Sequence, residues 1–489
     1  MDERPLAYRL RESVRYRQWN GFPILILDFP LKTAVLHRYW GPLFESCADG
    51  SFVTFETIVS RLTQVSPTAI EIFLNGLVRK GFMEQEGSPV LSHYPFVSVI
   101  IPVRNRPEEI AACLQSLSRI EYPADRMEVI VVDDASEDNT PEIVSNFPVR
   151  LIALNEQRGA SFCRNLGAGD ARGEILAFVD SDCLADPLWP RELIPAFNDS
   201  ANGAVGGLVD SCFHEKSLDR YEKVKSSLNM GPRPTSSRDG SRFFYLPACN
   251  LLVRKSVFQR LNGFREDMVV GEDVDFCYRL QDSGHHVEYR PVGRIYHKHR
   301  NTIRHFGLRR FDYGTSEPLL RRTHPGRVKQ LVFPPPDIMF WGLILLTLAS
   351  GWLPLLGLCG LTGLVDASLR FYRIYKKSLP IGFPHILLAT FRGYLVGFYH
   401  WSSFVSRYYL VAAPLFLLLA PPVGAGILGM HLLTSLGEYF IKKPSINFFV
   451  FLMYFTLEQI AYQSGVWRGC FKMLCFGPVI PQIVRRPIV

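Results

Sequence analysis

The sequence lacks cysteines at the paired spacing of a metal site, although it contains 10 cysteines in 489 residues. Cys470 and Cys475 are the only close couple. Zinc coordination is therefore disfavoured. The scattered cysteines, with no charged-then-apolar leader at the start of the chain, predict a reducing cytosolic setting without disulfides.

No basic stripe interleaved with aromatic residues is present, so single-stranded nucleic acid is not an expected partner. The net charge of +8 is modest and compatible with an ordinary solvated surface. Basic pairs do flank the apolar runs, at Arg321-Arg322, Lys376-Lys377, Lys442-Lys443 and Arg485-Arg486. This placement indicates contact with anionic lipid headgroups rather than with nucleic acid.

Charge is also missing from long stretches of the last third of the chain. Ile338 to Val365 is uncharged and exceeds the roughly 20 residues that cross a bilayer as one helix. Trp352-Leu-Pro354 makes a hairpin of two shorter segments an alternative. Tyr408 to Leu433 is a second run, and Ile446 to Leu457 is a shorter third that fits a membrane surface. We predict membrane-associated helices over 331–489, the alternative being a buried soluble core.

Residues 1–93 read as a small separate module. Pro23 to Phe29 is typical of a strand, Thr33 to Ser46 of a helix, and two more helices are predicted after the capping residues Thr54 and Ser66. A strand, helices and a terminal hairpin suggest a winged-helix-like α+β unit. Its third helix offers only two cations, so peptide capture by strand addition is favoured over DNA binding. The sequence from Gly87 to Val90 is the expected linker.

Residues 94–330 alternate between apolar strands, such as Val97 to Val103, and helical segments, such as Ala160 to Ala171. Strands without polar alternation, separated by helices, predict an α/β domain with a parallel sheet covered on both faces. Ligands of such sheets bind at the carboxyl ends of the strands. The polar residues that fall at those ends are Asn105, Asp133, Asp134, Asp180 and Asp182.

Asp180 and Asp182 follow the apolar run that begins at Ile175. Their spacing points both carboxylates the same way, and paired oxygen donors suit Mg²⁺ or Mn²⁺. Turn chemistry at the strand end explains the same pattern without a metal.

Several motifs in order resemble the inverting family 2 glycosyltransferases. They are Val97-Ser-Val-Ile-Ile-Pro-Val-Arg-Asn, Val131-Val-Asp-Asp-Ala-Ser, Arg158-Gly-Ala-Ser-Phe-Cys-Arg-Asn-Leu-Gly167, Phe178-Val-Asp-Ser-Asp182, Gly263-Phe264 and Gly271-Glu-Asp-Val-Asp275. The resemblance covers roughly 200 residues. It implies a GT-A nucleotide-diphospho-sugar transferase fold and a UDP-sugar donor.

The resemblance implies a donor site at the strand ends. Asp133 and Asp134 would accept hydrogen bonds from the uracil edge and the ribose, although either could instead cap the following helix. The base pocket would be lined by Pro102, Arg104 and Asn105. Arg158 and Arg164 are candidates for the diphosphate, because a guanidinium meets phosphate oxygens in bidentate fashion. Arg164 could equally be a helix-surface residue.

A divalent cation held by Asp182, with Asp180, would stabilise the leaving diphosphate. His297 is a further candidate ligand, or else a packed or capping histidine. Asp273 matches the position of the family's catalytic base, with Glu272 and Asp275 orienting it and contacting the acceptor. Acidic residues at a helix start also interact favourably with the helix dipole, and both roles can hold.

The whole layout is similar to that of the glycosyltransferases of the mycofactocin system. Their front module resembles the peptide-binding domain of pyrroloquinoline-quinone biosynthesis. This similarity implies transfer of a hexose, glucose being favoured, from a UDP-sugar to a peptide-derived redox cofactor precursor, at the cytoplasmic side of the cell membrane. A lipid-linked or polysaccharide acceptor and a non-catalytic membrane scaffold that binds a modified peptide are the alternatives.

The sequence departs from processive polysaccharide synthases in one motif. Where those enzymes carry Gln-x-x-Arg-Trp, this chain has His305-Phe-Gly-Leu-Arg-Arg-Phe. The departure disfavours long processive polymerisation. Arg309 and Arg310 are still expected to contact the diphosphate or lipid headgroups.

Overall fold

The structure is a computed structural model that describes residues 5–28, 30–47, 49–87, 93–240, 244–377 and 379–484. Most of the predicted linker and the basic pair Arg485-Arg486 lie outside the described residues. The chain divides into two units. The first comprises Met1–Gly87, Val328–Glu438 and Phe476–Val489, and the second Ser88–Arg327 and Tyr439–Cys475. The segment predicted as 331–489 is thus shared between the two units.

The front module contains six strands and three α-helices. They are β1 (Ala7–Leu10), β2 (Val14–Trp19), β3 (Phe22–Asp28), β4 (Leu31–Val35), α1 (Gly41–Ser46), β5 (Val53–Thr54), α2 (Phe55–Arg61), α3 (Pro67–Lys80) and β6 (Met83–Glu86). One sheet has the order β5-β1-β6 and the other β2-β3-β4. The Ser66 side chain accepts a hydrogen bond from the amide of Ala69 and caps α3, as its position predicts.

The helix predicted over Thr33 to Ser46 is wrong in its first half. Leu31–Val35 is the strand β4, paired antiparallel with β3 so that Val35 lies opposite Ile24. Helical structure begins only after it, and α1 is limited to Gly41–Ser46. Hairpin pairing with the buried strand β3 outweighs the weak local preference of this segment for helix.

The second unit continues with alternating strands and helices. The strands are β7 (Val97–Val103), β8 (Met127–Asp133), β9 (Arg150–Ala153), β10 (Ile175–Phe178), β11 (Cys183–Ala185), β12 (Asn202–Gly206), β13 (Val209–Ser211), β14 (Thr235–Ser236), β15 (Leu251–Arg254), β16 (His286–Tyr289) and β17 (Ile295–His297). The helices are α4 (Pro107–Leu117), α5 (Thr140–Ser145), α6 (Ala160–Asp170), α7 (Trp189–Leu193), α8 (Ser217–Lys225), α9 (Lys255–Arg260), α10 (Glu272–Asp282) and α11 (Ile303–Thr323).

The main sheet has eight strands in the order β14-β16-β12-β15-β10-β7-β8-β9. The pairs from β10 to β9 are parallel, as predicted. Strand β15 then pairs antiparallel with both β10 and β12, so the sheet as a whole is mixed and the predicted parallel arrangement covers only its β10 to β9 part. A second sheet, β11-β17-β13, lies outside it.

Strand β7 is buried along its whole length and separates two apolar cores. Ile101 belongs to the core that also contains Val131 and Trp189. Its neighbour Ile100 belongs to the core on the opposite side, with Phe178. Neighbouring residues of a strand point to opposite faces, so a continuous apolar run is what a strand covered on both faces requires.

The rest of the chain is mainly helical. Its elements are β18 (Gln330–Val332), α12 (Pro335–Ser350), α13 (Pro354–Lys376), α14 (Phe383–Tyr409), α15 (Ala413–Leu419), α16 (Pro421–Lys442), α17 (Phe448–Met473) and β19 (Gln482–Val484). The first apolar run forms the hairpin of α12 and α13, which turns at Gly351, a residue with φ +70°. The second run is broken between α15 and α16.

Two helical stretches among the described residues, Pro354–Lys376 and Phe383–Leu419, are long and apolar enough to cross a membrane. Their neighbourhood exposes large apolar side chains. Leu348 is 77% exposed and Leu418 is 83% exposed. Surfaces of this kind are unusual on a soluble monomer and are typical of contact with a membrane or a protein.

Helix α17 contains the third apolar run but belongs to the second unit, where it lies along α11. Gly465 contacts the backbone of Phe311 so closely that a β-carbon there would overlap its carbonyl oxygen, and Gly314 meets the backbone of Tyr462 in the same way. The Tyr462 hydroxyl donates to Glu317. The third run is therefore packed into the second unit through one face instead of forming a free surface helix.

Candidate active site

The Asp180-Ser181-Asp182 turn lies between β10 and β11, at the carboxyl end of the parallel strands. Each acid is paired with an arginine. Arg164 Nη2 lies 2.6 Å from Asp180 Oδ1, and Arg106 Nη1 lies 2.7 Å from Asp182 Oδ2. Burial alone would raise the pKa of Asp180, but the charge and hydrogen bond of Arg164, together with the charges of His297 and Arg106, outweigh it and lower this pKa. Asp180 is therefore held as a carboxylate.

Asp182 and His297 come together as the predicted metal site requires. Asp182 Oδ1 lies 3.5 Å from His297 Nε2. Asp182 Oδ1 and His297 Nδ1 are both buried and have no hydrogen-bond partner among the described residues. Unpartnered buried acceptors of this kind fit a divalent cation, because an ion supplies the missing charge.

Cys183 is the third potential ligand in this group, which the sequence did not indicate. It lies directly opposite His297 in the antiparallel pair of β11 and β17. Burial, and then Cys249 beside it, raises the pKa of the Cys183 thiol well above its ordinary value. A protonated thiol is a poor ligand, so Asp182 and His297 are the better candidates. The role of Asp180 as a metal ligand stays a prediction, since its carboxylate binds Arg164.

Arg164 joins the acidic turn to the start of α10. Its guanidinium also reaches Glu272, with Nη1 and Oε1 2.9 Å apart. Burial would lower the pKa of Arg164, yet Asp180 and Glu272 outweigh it and raise this pKa further. Arg164 is therefore a permanently charged bridge at the centre of the site and not a helix-surface residue. Because Arg164 already binds Asp180 and Glu272, its direct contact with the diphosphate stays a prediction.

Asp273 is held at the first turn of α10. Its Oδ1 accepts from the amide of Val274 at 2.8 Å, and its Oδ2 from the amide of Ala248 at 3.3 Å. Gly271 permits this turn, because its φ of +87° is one that other residues rarely adopt. Burial, and then the neighbouring charge of Glu272, raises the pKa of Asp273 to about 7. A carboxylate with this pKa can accept a proton near neutral pH.

Glu272 and Asp275, the two predicted acceptor contacts, have different surroundings. Glu272 faces Arg164 within the site. Asp275 is fully buried and binds His324 at 2.8 Å and Arg279 at 2.7 Å. The expectation that Asp275 contacts the acceptor is therefore corrected: successive residues of a helix point in different directions, and Asp275 points into the protein.

The predicted donor acids Asp133 and Asp134 lie at the end of β8 and bind nearby loops. Asp133 accepts from the Ser136 amide and hydroxyl. Asp134 accepts from the amides of Arg158 and Gly159, which precede α6. Both acids thus shape the rim of the cleft, and neither caps α5. Contact with a uridine stays a prediction.

The base-pocket candidates lie on the loop that follows β7. Asn105 has φ +50° and accepts from the amide of Glu137 at 2.8 Å, while Arg104 pairs with Glu137 at 3.2 Å. Pro102 is buried inside β7. Because Pro102 is buried in the strand, its place in the pocket lining stays a prediction, whereas Arg104 and Asn105 lie on the loop.

The remaining arginines differ in exposure. Arg158 is exposed at the start of α6, where it pairs with Glu156 and stacks on Phe162. Arg310 is buried and bound to Glu222, which excludes contact with lipid headgroups. Arg309 is exposed on α11 with its guanidinium 4.8 Å from the centre of the Tyr313 ring, and its contact with the diphosphate or lipid headgroups stays a prediction.

Sequence reasoning missed Arg106, the partner of Asp182. It directly follows the motif that begins at Val97 and ends at Asn105, and a count of opposite charges at the strand ends would have singled it out. The pairing of Asp275 with His324 could not be found in this way, because the two residues are 49 positions apart.

Comparison with known proteins agrees with this geometry. The family model "Glycosyl transferase family 2" matches residues 98–261. "Pre-mycofactocin glycosyltransferase" of Mycobacterium tuberculosis is 27% identical over 400 residues, which cover 79% of this chain and 82% of that protein. "Glycosyltransferase AglE" of Haloferax volcanii is 31% identical and covers 42% of this chain and 71% of that protein.

"Succinoglycan biosynthesis protein ExoO" of Rhizobium meliloti is 38% identical over 229 residues, or 44% of this chain and 64% of that protein. The matched region contains the parallel strands and the acidic turn, and the second unit has the mixed α/β arrangement of a GT-A-like fold. A non-catalytic scaffold is therefore set aside. The chain is a glycosyltransferase and belongs to family 2.

Proposed function

We propose that the protein transfers a hexose, with inversion, from a UDP-sugar to a peptide-derived redox cofactor precursor of the mycofactocin type, and that UDP-glucose is the donor. One observation carries the chemistry: Arg164 joins the acidic turn to the turn that holds Asp273, whose pKa is raised to about 7. The acceptor is inferred from the similarity to the pre-mycofactocin enzyme over most of both chains.

Asp273 is the proposed general base. Its two oxygens are fixed by amide donors from Val274 and Ala248, which orients the carboxylate. It takes the proton of the acceptor hydroxyl as that oxygen attacks the sugar C1 atom from the side opposite the leaving diphosphate. Glu272, one residue earlier, keeps the proton affinity of Asp273 high.

Asp182 and His297 would hold a divalent cation, Mn²⁺ or Mg²⁺. When bound, such an ion neutralises charge that develops on the leaving diphosphate. Arg164 holds Asp180 and Glu272 on either side of the cleft, and Arg309 adds positive charge from α11. Asn105 and Asp134 order the loops that form the nucleotide side.

The front module and the apolar helices provide the surfaces that the proposed partners would contact. Strands β4 and β5 lie at sheet edges, where an extended peptide can add a strand. The two helices that could cross a membrane support attachment to the lipid bilayer, with the transferase unit on the cytoplasmic side. No nucleic acid is proposed as a partner.

The test is transfer of glucose from UDP-glucose to the peptide-derived acceptor by the full-length protein with Mn²⁺. Asp273→Asn should abolish transfer and leave UDP binding, measured by calorimetry, unchanged. Asp282→Asn, an exposed residue at the other end of α10, is the matched control and should remain active. Full transfer by Asp273→Asn would remove this residue from the mechanism.

A lipid-linked or polysaccharide acceptor is the second candidate. It is favoured by the similarity to the succinoglycan biosynthesis protein and by the exposed leucines of the apolar helices. Radiolabelled glucose that enters the chloroform-soluble fraction of membranes, and not a water-soluble peptide acceptor, would support this candidate over the first.

A further inference from the structure

Both acids of the turn are already neutralised by arginines of the same chain. Arg164 binds Asp180 and Arg106 binds Asp182, at 2.6 and 2.7 Å. The Asp182 side chain is only 7% exposed, so its charge is poorly screened by water. With Glu272, which shares Arg164, three carboxylates and two guanidinium groups leave only one net negative charge at the place proposed for the cation.

These paired charges disfavour binding of a divalent cation without a nucleotide. A divalent ion on Asp182 Oδ1 would share this carboxylate with the guanidinium on Oδ2, and like charges so close together repel strongly where water is excluded. A nucleotide diphosphate reverses the balance, because its negative oxygens attract both the ion and the guanidinium groups.

We propose that Arg106 is the positioning residue that makes cation binding at this site depend on the nucleotide diphosphate. This inference rests on the proposed function, since it takes the Asp182–His297 pair as the cation site and a nucleotide diphosphate as its ligand. It assigns to Arg106 a role distinct from contact with the base or the acceptor.

Arg106 is better placed for this role than Arg164. Its backbone amide is anchored on Thr140 Oγ1 at 2.9 Å, but its side chain is 30% exposed and contacts the turn only through Nη1. The side chain can therefore turn from Asp182 towards a bound diphosphate. Arg164 is only 5% exposed and holds Asp180 and Glu272 at once, so it is fixed.

Mn²⁺ binding to the full-length protein, followed by the electron paramagnetic resonance signal of free Mn²⁺, tests the inference. We expect UDP to strengthen Mn²⁺ binding by at least about tenfold in the unaltered protein. Arg106→Gln should bind Mn²⁺ without UDP about tenfold more tightly, and UDP should then add little. Arg106→Lys keeps the positive charge and should keep most of the coupling.

Arg126→Gln is the control, because it removes an equal charge from the surface of the same unit. It should behave like the unaltered protein. Equal Mn²⁺ affinity with and without UDP in the unaltered protein would overturn the coupling, and unchanged coupling in Arg106→Gln would overturn the role of Arg106. If UDP fails to bind at any Mn²⁺ concentration, the proposed function itself fails. If Arg106→Gln does not fold, the same measurement on Arg106→Met, which also removes the charge, decides.

Discussion

Replacing Asp273 with asparagine removes one negative charge and nearly preserves the shape of the side chain. The asparagine oxygen can still accept from the amide of Val274, which binds Asp273 Oδ1 at 2.8 Å, whereas the longer hydrogen bond from the amide of Ala248 to Oδ2, at 3.3 Å, is lost. What disappears is a carboxylate that the fold disfavours through burial and through Glu272. The substitution should therefore stabilise the protein while it abolishes transfer.

The size of the stabilisation follows from the raised pKa. A rise from the ordinary value to about 7 destabilises the ionised form by on the order of 4 kcal/mol. Asp273 is partly exposed, so solvent screening reduces this to roughly 2 kcal/mol. For a unit of this size, about 2 kcal/mol raises the unfolding temperature by roughly 4–8 °C.

The destabilisation caused by ionised Asp273 depends on pH in a definite direction. The folded protein binds the Asp273 proton more tightly than the unfolded chain does, so the destabilisation is absent below about pH 4 and complete above about pH 7. Thermal unfolding of Asp273→Asn and of the unaltered protein should therefore coincide at low pH and separate as the pH rises through this range.

The matched control is again Asp282→Asn, whose exposed carboxylate pairs with Arg327. It should show no gain at high pH. An Asp273→Asn protein that is equally or less stable than the unaltered one at about pH 8 would refute the assignment of a raised pKa to this group.

Three further predictions follow from the same contacts. The transfer rate at low substrate should rise about tenfold per pH unit below about pH 7 and level off above it, because Asp273 must be ionised; a flat pH–rate profile would contradict this. His324→Ala should destabilise the protein by about 2 kcal/mol in denaturant unfolding, because buried Asp275 loses a partner, with little change in donor affinity. Gly465→Ala should destabilise by about 2 kcal/mol, since the added β-carbon overlaps the facing helix, whereas Gly307→Ala meets nothing and should not.

The parallel half of the sheet could be predicted from sequence because its strands are continuous apolar runs. The predicted strand Val97–Val103 matches the structure residue for residue, and the predicted helix from Ala160 differs only at its end. Burial on both faces leaves few polar residues in such a strand, and this produces a strong local pattern.

Elements that depend on distant partners were not predictable in this way. Leu31–Val35 is a strand because it pairs with β3, and β15 runs antiparallel because it joins strands on both sides. Helix α14 begins at Phe383, outside every predicted apolar run, since its charged and polar residues interrupt the pattern. Whether these segments form strands or helices, and in which direction the strands run, depends on tertiary pairing. A short window of sequence does not contain this information.

The same distinction applies to the candidate site: local sequence indicated which residues belong to it, but not the directions of their side chains. The residue types at strand ends and at a helix start singled out Asp182 and Asp273, and Arg164 joins the two turns that carry them. Side-chain direction was harder: Asp275 turns inward to His324, and Arg164 bridges two acids. These directions depend on the rotation of α10 and on residues far away in the chain.

The return of α17 to the second unit has a practical consequence for anyone who wants a water-soluble catalytic fragment. A protein cut after Arg327 would lose the helix that covers α11, and with it the hydroxyl partner of Glu317 and the backbone contact at Gly314. Joining Arg327 to Tyr439 through a designed linker keeps this helix and is the better starting point for crystallisation.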